Sequence, residues 1–392
     1  MRLDNRIEYL EGLRGLAALV VVICHFVGAF YPALISGNAQ EIHTQRGWEL
    51  FIAKSPLNIF YNGNFAVCIF FVLSGFVLTR HYFSNYSNQN NGIITSSAVR
   101  RYPRLLIPIF FSVLLVYVCM KLSLFGNVET SEFTYSTWWL GTFWKFDSTF
   151  IDVIKFSFYD VFISSNSKYN TVLWTMYYEF IGSFLVFAAA LIIGKMKNRS
   201  IIYCILILLF IKTYFLAFIF GLILSDIFSS VDLNKKLVGK KTQVLLLMVG
   251  IFLGSYPTLI NVNGTLYSFL ALNFVLSSMF YHIIGAFFVL IVLLNSKRLQ
   301  KILSLKPFLF LGKISFSMYL MHTIIIGTFS CFVFIKIMHL FTYSVSVSIS
   351  FISSMIVIFI VSYFYNIYVD QNGVRFSMYL YNRIFKKKIN NK

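Results

Sequence analysis

Charged residues are scarce in this sequence, and their scarcity excludes a water-soluble globule. Only 12% of the 392 residues are charged, while 58% are hydrophobic; soluble domains average about a quarter charged residues. So few charges could not cover a surface exposed to water, whereas a surface that faces lipid needs none. The composition therefore predicts an integral membrane protein.

Patterned cysteines and nucleotide- or metal-binding motifs are also missing. No Walker-type loop, nucleophile elbow, zinc pattern or GxGxxG motif occurs. The five cysteines lie in apolar runs at wide spacings, as is typical of small buried residues, and predict neither a disulfide framework nor a metal site: Cys24, Cys68, Cys119, Cys204 and Cys331.

The net charge of +19 does not indicate a nucleic-acid partner. The basic residues fall in short clusters between apolar runs, and no separate polar domain carries a continuous basic face. Membrane lipids are the partner that this pattern predicts.

The apolar runs predict an all-α fold with about ten transmembrane helices. A helix needs roughly 20 mostly apolar residues to cross a hydrocarbon core of about 30 Å. The fifth and sixth runs are short, are separated only by Lys212, and could instead form one long helix. The predicted spans are 13–32, 63–80, 104–125, 170–194, 200–211, 213–229, 243–260, 276–294, 314–338 and 344–368.

The positive-inside rule predicts the orientation of these spans. With ten spans and both termini in the cytoplasm, most of the 33 basic residues fall on the cytoplasmic side, whereas one long helix over 200–229 would divide them between the two sides. We therefore expect a membrane domain over 1–375 and a basic cytoplasmic tail over 376–392. The cytoplasmic clusters are Arg2–Arg14, Arg80–Arg104, Lys195–Arg199, Lys235–Lys241, Lys297–Lys313 and Arg375–Lys392.

The first span carries the most informative polar pair, Arg14 and His25. Eleven residues of helix return to within roughly 20° of the same face about 16 Å further along. The pair thus places a cation near the cytoplasmic surface and an imidazole deep in the bilayer, where ionisable groups are costly and usually functional. The alternative is an interfacial arginine anchor and a histidine bonded to a neighbouring helix.

Four further polar features lie in or beside predicted spans. Ser74-Gly75 permits close helix packing, and Arg101 and Arg104, expected at a helix start, suit a phosphate cradle. Glu179 must be protonated, paired or exposed to water, and a contact with His25 would raise the basicity of that imidazole. His322, in apolar sequence, is open to a structural role or a functional one.

In this order the segments resemble the acyltransferase-3 family of bacterial membrane O-acyltransferases, over residues 6 to about 375. The features that carry the likeness are Leu10-Glu-Gly-Leu-Arg14…His25, Phe70…Ser74-Gly75-Phe76, the Arg101–Arg104 pair with Pro103, Trp174 with Glu179, and Ser315…Tyr319…His322. Glu11 stands where many members have Asp. The absence of a following esterase-like domain suggests a stand-alone member.

The resemblance implies transfer of an acyl group, usually acetyl, from cytoplasmic acyl-CoA to a hydroxyl of a periplasmic or lipid-linked sugar. This would take place in a bacterial inner membrane, on O-antigen, lipopolysaccharide or exopolysaccharide. The implied roles are catalysis for His25, Arg14 and Glu179, acetyl-CoA binding for Arg14, Arg80, Arg101, Arg104, Ser74 and Gly75, and acceptor binding for Trp174, Tyr178 and His322. His25 would act as general base or form an acyl-histidine.

The alternative function is a solute transporter or polysaccharide flippase. Such a protein would also carry charged groups within its spans, but it would be expected to have paired helices interrupted by Gly and Pro. The sequence has only six prolines, which we expect mostly at helix starts. A structural or sensory membrane protein would leave the Arg14–His25 alignment without an explanation.

Overall fold

A computed structural model describes residues 7–44, 47–84, 92–194, 196, 198–230, 238–271 and 278–386. These residues form helices and loops, with no strand among them. The prediction of an all-α membrane protein is confirmed.

The described part of the chain contains ten principal helices, one for each predicted span, joined by loops and short helices. Seven lie in segments long and apolar enough to cross a membrane, and three (α5, α6 and α7) are shorter. Residues 200–229 form two helices rather than one. The ten are α1 (Glu8–Phe30), α2 (Gly63–Ser84), α3 (Gly92–Lys121), α4 (Trp174–Ile193), α5 (Arg199–Phe210), α6 (Phe215–Ser230), α7 (Lys240–Gly254), α8 (Ser278–Asn295), α9 (Lys306–Ile325) and α10 (Tyr343–Tyr365).

Helix α3 begins twelve residues before the predicted start at residue 104. Pro103 and Pro108 therefore lie inside the helix, so the expectation that prolines mark helix starts is wrong here. A proline removes one backbone hydrogen bond and bends the chain, but neighbouring helices support such a position in a membrane protein. Arg101 consequently lies ten residues into α3 and not at its first turn.

Alternate connections between helices meet at one end of the bundle. The Tyr61 hydroxyl donates to Leu34 O at 3.1 Å, and the Asn58 amide donates to Ser255 O at 2.7 Å. Tyr343 donates to the carbonyl of Phe30. These contacts join the segments 31–62, 255–271 and 338–343, which together with 122–173 we call the loop end. Successive helices therefore run in alternate directions, as ten crossings require.

Helices α1 and α9 run parallel and in register at a distance that only glycine permits. A Cβ atom on Gly15 would lie 2.3 Å from the backbone nitrogen of Gly312, and one on Gly312 would lie 2.3 Å from Glu11 O. Larger residues at such positions would force the helices apart, at a cost of about 1–3 kcal/mol each. This contact brings the faces of α1 and α9 together along their length.

The last long helix does not end where the tail was expected to begin. Beyond α10 the chain stays helical through Asn366–Asp370 and Gln371–Tyr381, so the predicted boundary at residue 375 falls inside a continuous helix. The basic residues at 387–392, and those at 1–6, lie outside the described residues.

Candidate active site

Two histidines from the parallel helices meet inside the bundle. His25 Nδ1 on α1 lies 2.9 Å from His322 Nε2 on α9. The two residues are separated by 297 positions, as are Gly15 and Gly312, so the glycine contact and the histidine contact express one helix register. His322 is fully buried, whereas His25 keeps part of its surface accessible.

The partners of each ring nitrogen assign the protons of this pair. His322 Nδ1 faces Met318 O at 2.9 Å, and because a carbonyl oxygen only accepts, this nitrogen carries the hydrogen. Neutral His322 then has a lone pair on Nε2. His25 Nδ1 faces that lone pair and Val21 O at 3.0 Å, which are both acceptors, so it also carries a hydrogen. Nε2 of a neutral His25 is left with the free lone pair.

An aromatic ring from the loop end covers His25. The Trp139 indole stacks on the His25 imidazole with ring centres 5.5 Å apart and planes 18° apart. The segment that carries Trp139 is fixed to α1, because Ser136 Oγ donates to Gly28 O at 2.7 Å. The loop that carries Trp139 is therefore held in a fixed position relative to His25.

Buried polar side chains fix His322 in turn. Asn170 donates to Leu320 O at 2.8 Å and accepts from the Thr323 hydroxyl at 2.8 Å. The Tyr319 hydroxyl lies 2.7 Å from Thr175 Oγ1 and 2.9 Å from Val172 O. Since α9 is bonded to residues 170–175 on both sides of His322, the helix backbone that carries this ring is held in place, and the contacts of the ring with Met318 O and His25 set its orientation.

Glu179 does not contact His25. Its carboxylate accepts from Ser74 Oγ at 2.6 Å and forms an ion pair with Arg101. The hypothesis that Glu179 raises the basicity of His25 by direct contact is therefore wrong, because the carboxylate is paired with Arg101 instead. Arg101 can make this contact because α3 begins earlier than predicted and places it inside the helix. The structure brings Ser74, Arg101 and Glu179 together as one cluster, which we call the ion-pair cluster.

The remaining arginines lie toward the other end of α1. Arg14 pairs with Glu11 at 2.6 Å and is about one quarter exposed. Arg80, near the end of α2, is close enough to Tyr9 to interact electrostatically with it. Arg104 is exposed, whereas Arg101 is buried and paired with Glu179. Acetyl-CoA binding by Arg14, Arg80, Arg101, Arg104, Ser74 and Gly75 stays a prediction.

Three other predicted site residues lie apart from the histidines. Gly75 packs against α6, where a Cβ atom would lie 2.2 Å from Phe218 O. Trp174 and Tyr178 make ring contacts with each other and with Tyr214, at 5.1–5.9 Å between centres. Within the described residues neither ring stacks on His25 or His322, so their acceptor role stays a prediction.

Sequence reasoning did not single out Trp139 as a partner of His25 or Asn170 as a support of His322. The concentration of tryptophans in the loop 126–169 was the available signal for the first, since aromatic residues gather at the rims of membrane bundles. Asn170 stands just before the fourth predicted span, where a polar residue is ordinary, so nothing in its local sequence marks it.

The chain is thus a multi-pass helical membrane protein with a pair of histidines in contact inside the bundle and arginines toward one end. The family model described as "Acyltransferase domain" (Acyl_transf_3) matches residues 7–365, and the chain belongs to this family, known as acyltransferase-3. It is therefore a membrane acyltransferase. A curated fungal relative, "Acyltransferase clz18" of Cochliobolus lunatus, is 22% identical over 82% of this chain and 83% of its own length. No solved structure matches the chain.

Proposed function

We propose that this protein transfers an acetyl group from cytoplasmic acetyl-CoA to a sugar hydroxyl on the far side of a bacterial inner membrane. The acceptor would be a lipid-linked or cell-surface sugar, such as O-antigen, lipopolysaccharide or exopolysaccharide. The observation that carries the proposal is the contact of His25 Nδ1 with His322 Nε2 and Val21 O, which leaves Nε2 as the nitrogen of His25 to which no hydrogen is assigned.

The position of His25 on α1 suits a donor and an acceptor that arrive from opposite sides. Helix α1 is continuous from Glu8 to Phe30, so Arg14 lies on the same face about 16 Å away. The Arg14 guanidinium has five N–H donors and bonds Glu11 through one nitrogen, which leaves donors for the phosphates of CoA. The long, thin pantetheine arm would then extend along α1 toward His25.

The orientation follows from the charge distribution. Arg14 and Arg80 lie toward the end opposite the loop end, near the basic residues of the described part of the chain at Arg100–Arg104 and Lys297–Lys313. Under the positive-inside rule that end faces the cytoplasm, where acetyl-CoA is available, and the loop end faces the acceptor.

In the proposed reaction His25 Nε2 removes the proton of the acceptor hydroxyl as its oxygen attacks the thioester carbonyl. The C–S bond breaks, the acetyl group passes to the sugar oxygen, and the CoA sulfur takes up the proton that His25 held. His322 stabilises the imidazolium that forms, because its Nε2 lone pair accepts from His25 Nδ1. In an acyl-histidine variant, the same free nitrogen would attack the thioester itself.

The proposal is tested with purified protein in proteoliposomes of sorted orientation. Acetyl-CoA is supplied on the side of the arginines and a labelled lipid-linked oligosaccharide on the other. We expect CoA release and acetylated acceptor in equal amounts. Transport of the oligosaccharide without CoA release would instead support a flippase, and failure to consume acetyl-CoA on either side would contradict the proposal.

A further inference from the structure

A small cleft opens on the loop end, outside the two histidines. It has a volume of about 220 Å³ and is lined by Ser36, Asn38, Glu41, Trp138 and Leu259. Pockets that enclose a whole small molecule usually measure about 300–1,000 Å³. The cleft is therefore suited to one unit of a longer ligand whose remainder stays in solvent.

The polar side chains of the cleft are held in place by hydrogen bonds to one another, and they keep some donors and acceptors free for a ligand. The Glu41 carboxylate accepts from Ser36 Oγ at 2.6 Å, from Asn38 Nδ2 at 3.1 Å and from Trp138 Nε1 at 3.2 Å. A carboxylate offers about four lone-pair sites, and a side-chain amide nitrogen has two hydrogens. One acceptor site on Glu41 and one N–H of Asn38 therefore stay available, side by side, for a ligand.

The walls of the cleft are apolar and open. Trp138 is 39% exposed and Leu259 is 59% exposed, although both are large hydrophobic residues. The Trp138 ring cannot turn freely, because its indole N–H is bonded to Glu41. A rigid aromatic face beside one acceptor and one donor is complementary to a sugar ring, which has an apolar C–H face and hydroxyls that both donate and accept.

Covalent connections tie the cleft to His25. Trp138 directly precedes Trp139, whose ring stacks on His25. On the other side, residues 31–37 lead from the end of α1 to Asn38, and Gly37 takes the left-handed conformation (φ +68°) that reverses the chain there. Trp138 and Asn38 thus hold fixed positions relative to His25.

We propose that this cleft binds a neutral sugar unit of the acceptor, with Trp138 against the ring face and Glu41 and Asn38 on adjacent hydroxyls. That the bound sugar is an acceptor for acetyl transfer rests on the proposed function; that a sugar binds here does not. The negative charge of Glu41 disfavours uronic acids and other anionic sugars at this position.

Binding is tested without acyl-CoA, so the result is independent of catalysis. The full chain in nanodiscs is titrated with the methyl glycosides of glucose, galactose, mannose, rhamnose and glucuronic acid, followed by saturation-transfer NMR. We expect at least one neutral glycoside to bind, and Trp138→Leu and Glu41→Gln to weaken it roughly tenfold. Trp48→Leu is the matched control, since Trp48 is also an exposed loop-end tryptophan (40%) and lies outside the cleft.

Equal binding by wild type and Trp138→Leu, loss with Trp48→Leu as well, preference for the glucuronide, or no binding of any neutral glycoside would overturn the inference. Trp138→Phe provides a second check, because it keeps an aromatic face and should retain more affinity than Trp138→Leu. Sugar binding without acetyl transfer would refute the proposed function alone. Transfer with an acceptor KM that Trp138→Leu leaves unchanged would refute the cleft alone.

Discussion

Two polar groups that link helices inside the bundle, the ion-pair cluster and the histidine pair, differ in what they leave unsatisfied. In the ion-pair cluster, Arg101 and Ser74 both bond the Glu179 carboxylate, so opposite charges neutralise each other, and the group left without a partner is a donor, the buried Nε–H of Arg101. In the histidine pair, Nδ1 of His25 donates to Nε2 of His322, and Nδ1 of His322 donates to Met318 O. Nε2 of His25, on a partly accessible ring, is left over.

We propose that this difference separates the reactive site from a supporting one. A buried ion pair is costly to break because the remaining charge loses its partner, so the ion-pair cluster fixes α2, α3 and α4 relative to one another. The histidine pair contributes less to such fixation but presents a base. From the sequence, His25 and Glu179 were both predicted to be catalytic, whereas His322 was predicted to bind the acceptor and Arg101 and Ser74 to bind acetyl-CoA. We propose that His25 performs the chemical step.

Replacing His25 should have the largest effect on rate. His25→Asn removes the proposed base while leaving a polar side chain of smaller size, and general-base catalysis contributes about 10²–10⁴-fold. We expect acetyl transfer to fall by that factor with normal membrane insertion, measured as acetylated acceptor per folded protein. An activity near that of the wild type would remove His25 from the mechanism.

Breaking the ion-pair cluster should lower the stability of the protein more than it lowers the rate of acyl transfer. Arg101→Met leaves Glu179 buried without its counter-charge, at a cost of about 3–5 kcal/mol, and we expect a lower melting temperature in detergent by fluorescence-detected size exclusion. The double variant Arg101→Met/Glu179→Gln, which carries no net charge at the cluster, should recover part of the loss. A single variant as stable as the wild type would show that the pair is not needed for fixation.

His322 should affect rate through His25. His322→Phe removes the acceptor for His25 Nδ1 and should lower kcat roughly tenfold to hundredfold, with the KM for acetyl-CoA little changed. His322→Gln keeps an acceptor oxygen and should restore much of that loss. If the two variants were equally impaired, His322 would have a packing role only.

Arg14 should show the smallest effect, confined to the donor. Losing one charge-assisted phosphate contact costs about 1.5–3 kcal/mol, so Arg14→Ala should raise the KM for acetyl-CoA by more than about tenfold while the acceptor KM changes little. Glu11→Gln is a useful control, because it frees Arg14 from its intrahelical partner without removing the cation. An unchanged dependence on acetyl-CoA would count against this placement of the CoA.

Much of the fold could be predicted because hydropathy identifies the membrane spans and the distribution of basic residues indicates their orientation. All ten predicted spans correspond to helices, and the interruption at Lys212 separates α5 from α6. The start of α3 could not be predicted in the same way, because residues 92–99 are only moderately apolar. The helix also continues through Pro103 and Pro108, so its formation depends on tertiary packing.

The site was predictable in its residues but not in its pairings. Helical spacing places Arg14 and His25 on one face, and α1 is continuous between them. The partner of His25 is 297 residues away, and no local pattern selects His322 over Glu179 for that position. Gly15 and Gly312 decide it by setting the close register of α1 and α9.

The proton assignment of the histidine pair is the central claim, and solid-state ¹⁵N NMR of the reconstituted protein measures it directly. Protonated and unprotonated imidazole nitrogens resonate at well-separated shifts, and spectra of His25→Asn and His322→Phe assign the signals to each ring. We predict that in the neutral state both rings carry hydrogen on Nδ1 and none on Nε2. A hydrogen on Nε2 of neutral His25 would contradict the account, because the nitrogen assigned to accept the acceptor's proton would already hold one.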